Sequence, residues 1–463
     1  LDADNVRNGA LQNEDEISKY IFVHASGLEI LQIKINLFSE IINNKILSFI
    51  ELLNNNFDFC VFTAPENISE PLQFIFNASD RLFLVADPQT SNEKLLRLTS
   101  LKINKENSKT IENIWLSSDY NTFSENFIPQ FKLAWDKEFF KQFIAQGSLF
   151  FPHHAMLSHR SMDRLARHLG QLSIGFAMGS GAAFGYALIG MLKVMQREGI
   201  YPDVISGTSM GALIGSFYSA GIPPDQLEEI ACSISRKKLI KMAITGPILP
   251  RTGLISGIGI LHFLKEHLGD RTFSDLMLPF SCVATDIQTG KEIILNQGNV
   301  AEAVRASLSL PFFFQPYHLN GRYLVDGGLV NPVPTSIIVS QGANILISAS
   351  LTSKASERKV PRMIGWWRRH LPNMMKGPSI AETMIKTIYI MQYEIASARS
   401  ELAHVVFQIK SHDLLWWDLD QAKEMIRLGE VSAEEKLAQI KNLLPFYSDS
   451  CKTKLRAKPS KSY

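Results

Sequence analysis

Ser209 stands at the centre of Gly207-Thr208-Ser209-Met210-Gly211, with strand-forming Asp203 to Ser206 before it and helix-forming Ala212 to Ala220 after it. A serine hydroxyl serves as a nucleophile when it sits on a sharp strand-to-helix turn whose neighbours, here Gly207 and Gly211, are small enough for the backbone to crowd adjacent elements. The helix N-terminus beneath such a serine favours developing negative charge, so the chemistry this pattern suits is acyl transfer. Upstream, Gly179-Ser180-Gly181-Ala182-Ala183-Phe184-Gly185 joins an expected strand, Ile174 to Met178, to an expected helix, Tyr186 to Glu198. A Gly-rich turn of this kind leaves backbone N–H groups pointing outward at a positive helix end, which suits an oxyanion or a phosphate. By itself it fits a nucleotide-binding turn or a purely structural one equally well. A serine nucleophile needs a base. Asp326 follows the short expected strand Arg322 to Val325, and Gly327 and Gly328 after it allow a sharp turn that presents the carboxylate. An Asp-Gly pair is also a common hairpin turn with no chemistry attached.

The order of these three elements, over about residues 171 to 350, resembles the patatin-like phospholipases. The shared stretches are LIGMLKVM (Leu188 to Met195), CVATDIQTGKEIIL (Cys282 to Leu295), RASLSLPFFFQP (Arg305 to Pro316) and YLVDGGLVNPVP (Tyr323 to Pro334). RLARHLGQLSIGFAMGSG and ETMIKTIYIMQYEIASAR (Glu382 to Arg399) resemble the neuropathy-target-esterase branch. The resemblance implies an α/β fold, a three-layer α/β/α hydrolase domain, acting on phospholipids or lysophospholipids at a membrane surface without metal or cofactor. It assigns Ser209 as nucleophile, Asp326 as base without a histidine, and the backbone of Gly179, Gly181 and Ala182 as the oxyanion hole. Family loops carry Arg or Lys just before the last glycine; here that place is Phe184, and the lost cation would weaken activity or alter head-group preference. The branch often carries a regulatory domain, which would lie upstream of Leu1. Two other readings stand beside this one. A Ser-Asp-His triad would draw on His318, His370, His404 or His412, although none lies in a Gly-flanked loop after a strand. A catalytically weak membrane-docking regulatory protein is the other.

The elements that position these residues fall into an expected order along the chain. Residues 1–118 alternate short β-forming runs (Glu29 to Ile35, Phe57 to Phe62, Arg81 to Ala86, Ile114 to Leu116) with helix-length segments such as Leu37 to Leu53, the pattern of a small α/β scaffold domain. Phe57 to Asp87 resembles the later strands of deviant-Walker ATPases, yet the chain holds no G-K-[S/T] phosphate loop, Gly290-Lys291 being followed by Glu292. Residues 119–170 read as a linker with a docking helix at Ser161 to His168, residues 171–450 as the hydrolase domain with late helices at Ser379 to Ala403 and Leu419 to Leu444, and residues 451–463 as a basic disordered tail. Within the hydrolase domain, Phe312 to Phe314 suits either an acyl-chain channel or core packing. Lys354 to Lys376 interleaves Arg368, Arg369 and other cations with Trp366 and Trp367, a composition suited to the head-group boundary of an anionic bilayer.

Composition limits the alternatives. The 463 residues carry a net charge of +2 at pH 7, so no global field favours nucleic acid. Cys60, Cys232, Cys282 and Cys451 form no C-x-x-C pair, which points away from disulfide or zinc frameworks and toward a reducing, cytoplasmic setting with peripheral membrane contact. His153, His154, His159 and His168 lack acidic or cysteine partners at a metal-binding spacing. The uncharged stretches Leu169 to Leu192 and Val204 to Pro224 are interrupted by glycines and read as strand, loop and helix rather than as membrane spans.

Overall fold

A computed structural model describes residues 21–23, 29–31, 81–87, 90–91, 111–117, 131–134, 157–234, 256–351, 380–409 and 418–444. The chain divides into two units, Leu1–Asp163 and Arg164–Tyr463. In the first, β1 (Ile21–Val23) pairs antiparallel with β2 (Glu29–Leu31), and β3 (Leu82–Ala86), β4 (Ile111–Ser117) and β5 (Phe131–Ala134) form a parallel three-stranded sheet. Parallel pairing demands a crossover between neighbours; the connecting segments lie largely outside the described residues. Strand β5 falls inside the stretch read as linker, because four residues, FKLA, are too few to show a period of two. The Phe57 to Phe62 and Leu37 to Leu53 expectations lie outside the described residues.

The second unit is built on an eight-stranded sheet. Its parallel centre is β8 (Phe280–Asp286), β7 (Val204–Thr208), β6 (Ile174–Met178), β12 (Ile345–Ser350) and β13 (Val405–Gln408), in that spatial order. Three antiparallel strands complete it: β9 (Glu292–Leu295), β10 (Tyr317–Leu319) and β11 (Arg322–Asp326). Strands β6, β7, β8 and β12 are buried at every position, as expected where both faces of a parallel sheet are covered.

Alternation along the strands separates two cores. Phe176, Met178, Ile205, Ile345 and Ile347 face one core, while Ala177, Val204 and Leu346 face the other. The larger core is covered by α2 (Ala187–Arg197), α3 (Met210–Ser219), α4 (Pro224–Ser233), α5 (Ile258–Leu268), α6 (Val300–Ser307) and α9 (Ala422–Leu443), and the smaller by α7 (Thr335–Ser340) and α8 (Ile380–Ser400). Helix α1 (Leu157–Leu169) precedes β6, longer than the docking helix read from the sequence. Its Arg167 forms a bidentate pair with buried Asp203 at 2.9 and 2.8 Å, and Asp203 also accepts the Ile174 N–H at 2.8 Å. That pair ties the end of α1 to the starts of both β6 and β7. Among the described residues no helix is long and apolar enough to cross a membrane, and both suspect stretches resolve into strand, turn and helix.

Candidate active site

Strand register brings the serine and the aspartate together. Strand β8 carries β9 along one edge; along its other edge β7 reaches Thr208 opposite Val283, and β11, running the opposite way, reaches Asp326 opposite Ala284. The two strands therefore meet end to end against consecutive residues of β8. Ser209, the next residue after β7, places its Oγ 2.6 Å from Asp326 Oδ2 and donates to it.

The turn at Ser209 is strained, with φ 56° and ψ −119°, a region that costs a side-chain-bearing residue about 1–3 kcal/mol and persists only when its surroundings hold it. The hold is visible. The Ser209 N–H donates to Ser307 Oγ at 2.9 Å, and that hydroxyl donates onward to the Val283 carbonyl at 2.6 Å. A Cβ at Gly207 would stand 2.5 Å from the Gly211 carbonyl oxygen, and one at Gly211 would strike the Met178 carbonyl, so both positions admit only glycine. Ser209 caps α3 by position but not by side chain; its hydroxyl is committed to Asp326.

Asp326 is 1% exposed. Its Oδ1 accepts the Gly328 N–H at 2.7 Å, its own N–H donates to the Ser309 carbonyl at 2.9 Å, and its carbonyl accepts from Thr285 Oγ1 at 2.9 Å. Burial pushes its carboxyl up from 3.8 to about 6, against the lowering effect of the hydrogen bonds from Ser209 and Gly328. A carboxylate poised there is largely ionised at neutral pH and still basic enough to take a proton. The segment after Gly328 is fastened to β7: Thr208 Oγ1 donates to the Asn331 carbonyl and Ser206 Oγ to the Pro334 carbonyl, each at 2.9 Å.

The Gly-rich loop closes the site and corrects one expected donor. The Gly179 N–H donates to the Ala349 carbonyl at 3.1 Å and the Ser180 N–H to the Pro332 carbonyl at 2.8 Å. Gly179 is thus occupied as a donor, and its contribution is space, since a Cβ there would strike the Ala349 carbonyl. The N–H groups of Gly181, at φ −175°, and Ala182, at φ +48°, have no acceptor among the described residues. Phe184, at the position where a cation was expected, is buried in the larger core.

Sequence reasoning missed the brace formed by α6 and the turn after it. Ser307 holds the backbone of Ser209, and Ser309 holds that of Asp326. Arg305, 1% exposed, donates to Ser309 Oγ at 2.6 Å, the Ser256 carbonyl at 2.9 Å and the Gly257 carbonyl at 3.1 Å, between the rings of Phe314 and Tyr317 at 5.5 Å each. Burial lowers its guanidinium only to about 10, so it stays cationic. The one signal available was the R-x-S-x-S spacing, which places Arg305 and Ser309 one helical turn apart. Phe313 lines a small cleft with Leu310, Pro311, Ile388 and Tyr389, while Phe312 is half exposed.

Of the histidines of the triad reading, the two described ones, His318 and His404, have partners away from Ser209 and Asp326. His404 Nδ1 accepts the Leu346 N–H at 2.9 Å near the start of β12, and His318 is exposed beside Tyr323 on the β10–β11 hairpin. His370 and His412, with Trp366, Trp367, Arg368 and Arg369, are outside the described residues. Among the described residues no group of three or more His, Cys, Asp or Glu side chains could hold a metal, and Cys232 and Cys282 are free thiols.

A central parallel sheet flanked by helices defines an α/β fold, with a G-x-S-x-G elbow at the end of one strand and an Asp-Gly-Gly turn at the end of another. Residues 176–339, within the second unit, match the family model described as patatin-like phospholipase. The chain is similar to an uncharacterized NTE family protein of Mycobacterium tuberculosis, 32% identical over 178 residues that make up 38% of this chain and 49% of that protein. It is 32% identical to neuropathy target esterase sws of Drosophila melanogaster over 246 residues, 50% of this chain and 17% of that protein. To the human patatin-like phospholipase domain-containing protein 6 it is 29% identical over 259 residues, 52% of this chain and 19% of that protein. The chain thus spans half or less of the length of these relatives.

Proposed function

We propose that this protein hydrolyses carboxylic esters of phospholipids or lysophospholipids, with Ser209 as nucleophile, Asp326 as the sole side-chain base and the N–H groups of Gly181 and Ala182 as the oxyanion hole. The observation that carries the reading is the 2.6 Å hydrogen bond from a strained, solvent-shielded serine hydroxyl to a buried carboxylate. In acylation the Ser209 proton passes to Asp326 as Oγ bonds to the acyl carbon; Asp326 then returns that proton to the departing alcohol. In deacylation water gives a proton to the same carboxylate, and the carboxylic acid leaves as Ser209 recovers its hydrogen. Two N–H donors facing the tetrahedral oxyanion, above the positive end of α3, stabilise the charge that develops; losing one such donor typically costs about 10²–10³ in rate.

Lipid esters reside in bilayers, so the reading includes docking at a membrane surface, with Trp366, Trp367, Arg368 and Arg369 as the contact and the cytoplasmic face as the setting. The decisive experiment treats the protein with a fluorophosphonate probe and maps the adduct by peptide mass spectrometry. Labelling at Ser209 that is absent from Ser209→Ala, together with release of fatty acid from a panel of lysophospholipids and phospholipids, is the expected result. Labelling at another residue, or unchanged hydrolysis by Ser209→Ala, overturns the assignment.

A further inference from the structure

Gln392 lies on α8, far along the chain from every motif that marks the site, and its side chain is 3% exposed. Its Nε2 is buried without a hydrogen-bond partner among the described residues. A buried amide donor left unpaired costs about 1–3 kcal/mol, so a retained one calls for an explanation. Its surroundings supply one. A Cβ at Gly328 would stand 2.5 Å from Gln392 Nε2, 3.0 Å from Asp326 Oδ1 and 3.1 Å from Ser180 Oγ. Three polar groups from three elements, the helix, the Asp-Gly-Gly turn and the Gly-rich loop, converge on the side of Gly328 that a Cβ would occupy. They do so beside the carboxylate oxygen that is not engaged by Ser209. Ser180 is buried too, at 5% exposed. Gly328 is therefore more than a turn residue: any side chain there would fill the place where these groups face one another.

We propose that Gln392 and Ser180 form a polar subsite that holds an oxygen next to Asp326, first that of the departing alcohol and then that of the hydrolytic water. The inference rests on the acyl-hydrolase reading and deepens it by naming the groups that orient the second nucleophile. Gln392 donates a hydrogen bond to the water oxygen, and no proton passes through it. Water's proton goes to Asp326, the new C–O bond forms as the Ser209 ester bond breaks, and the proton returns to Ser209 Oγ. The ligand class follows from the donors: a neutral hydroxyl, from water or from a glycerol-type alcohol, since the charged group beside it is an anion.

The test separates the two half-reactions with p-nitrophenyl butyrate, whose leaving group departs without a proton. In Gln392→Met, of similar length but without the donor, the burst of nitrophenolate keeps a rate within about 3-fold of wild type. Steady-state turnover falls about 10-fold or more, and intact-protein mass spectrometry finds butyrylated Ser209 accumulating. Ser180→Ala shows the same split more weakly, and provides a second reading should Gln392→Met unfold. Burst and turnover falling together would reduce Gln392 to a packing residue, and turnover equal to wild type in both variants would equally overturn the subsite. A wild-type protein that releases no nitrophenolate and takes no fluorophosphonate label fails at the earlier step and removes the reading on which the inference stands.

Discussion

Replacing Asp326 with Asn abolishes hydrolysis and, by the same physics, stabilises the fold above pH 7. The carboxyl is 1% exposed, and among the described residues its only side-chain hydrogen-bond partner is the neutral hydroxyl of Ser209. Burial raises it from 3.8 to about 6. Because the folded-state value lies above the unfolded one, the folded protein binds the proton more tightly. Its contribution is fully present below pH 3.8 and is lost as pH rises through about 6. Each pH unit of that displacement is worth about 1.4 kcal/mol, so keeping the charge buried at pH 8 costs roughly 3 kcal/mol. Asparagine keeps the shape: its Oδ1 can accept from the Gly328 N–H, and its amide can donate to Ser209 Oγ. For a unit of this size ~3 kcal/mol corresponds to a rise in Tm of roughly 5 °C. The assay is thermal unfolding of both proteins from pH 5 to pH 8, alongside the pH dependence of kcat/KM for the wild type, whose acid limb should fall with an apparent pKa near 6. The stability gap should open as pH rises. A gap that does not change with pH, an Asn variant less stable than wild type at pH 8, or an acid limb near 4 would refute the claim that desolvation governs this carboxylate.

Ser307→Ala leaves the Ser209 N–H without its buried acceptor. It should lower stability by about 1–3 kcal/mol in urea unfolding and lower kcat on a soluble ester by on the order of 10-fold or more, with Ser307→Thr restoring much of both. Arg167→Leu strands the Asp203 carboxylate, whose side chain is 3% exposed, with the Ile174 N–H as its one remaining donor among the described residues. It should cost about 3–5 kcal/mol, more than Asp203→Asn does, as judged from urea midpoints at pH 7.

Local chemistry and tertiary structure divide this protein between them along a clear line. The elbow at Ser209 was legible because its requirements are local: a β-forming run, small residues on each side of the serine, then an apolar helix, all within a single strand-turn-helix unit. Strand β6 matches its expected span from Ile174 to Met178, and helices α2, α8 and α9 lie within a few residues of theirs, because burial of a strand or a helical stripe writes its own period into the sequence. The Asp-Gly-Gly turn was legible as a turn, but its meeting with Ser209 was not. The pair is 117 residues apart, and the register of β7 and β11 on one edge of β8 brings them together. The same holds for the donors. The glycines of the loop are plain in the sequence, yet which N–H groups remain free depends on where the carbonyls of Ala349 and Pro332 arrive, and these belong to segments far along the chain. Gln392 carries no mark in the sequence, and Ser307 and Ser309 only the R-x-S-x-S spacing, since a glutamine on a long helix or serines at the end of a short one are unremarkable until folding sets them against Ser209 and Asp326. The sequence by itself determined the strand-to-helix elbow at Ser209 and the turn that presents a carboxylate, because each is a property of a few consecutive residues. Only the tertiary structure decided which groups brace, orient and complete the site, because those contacts are made between strands and helices whose pairing is not local.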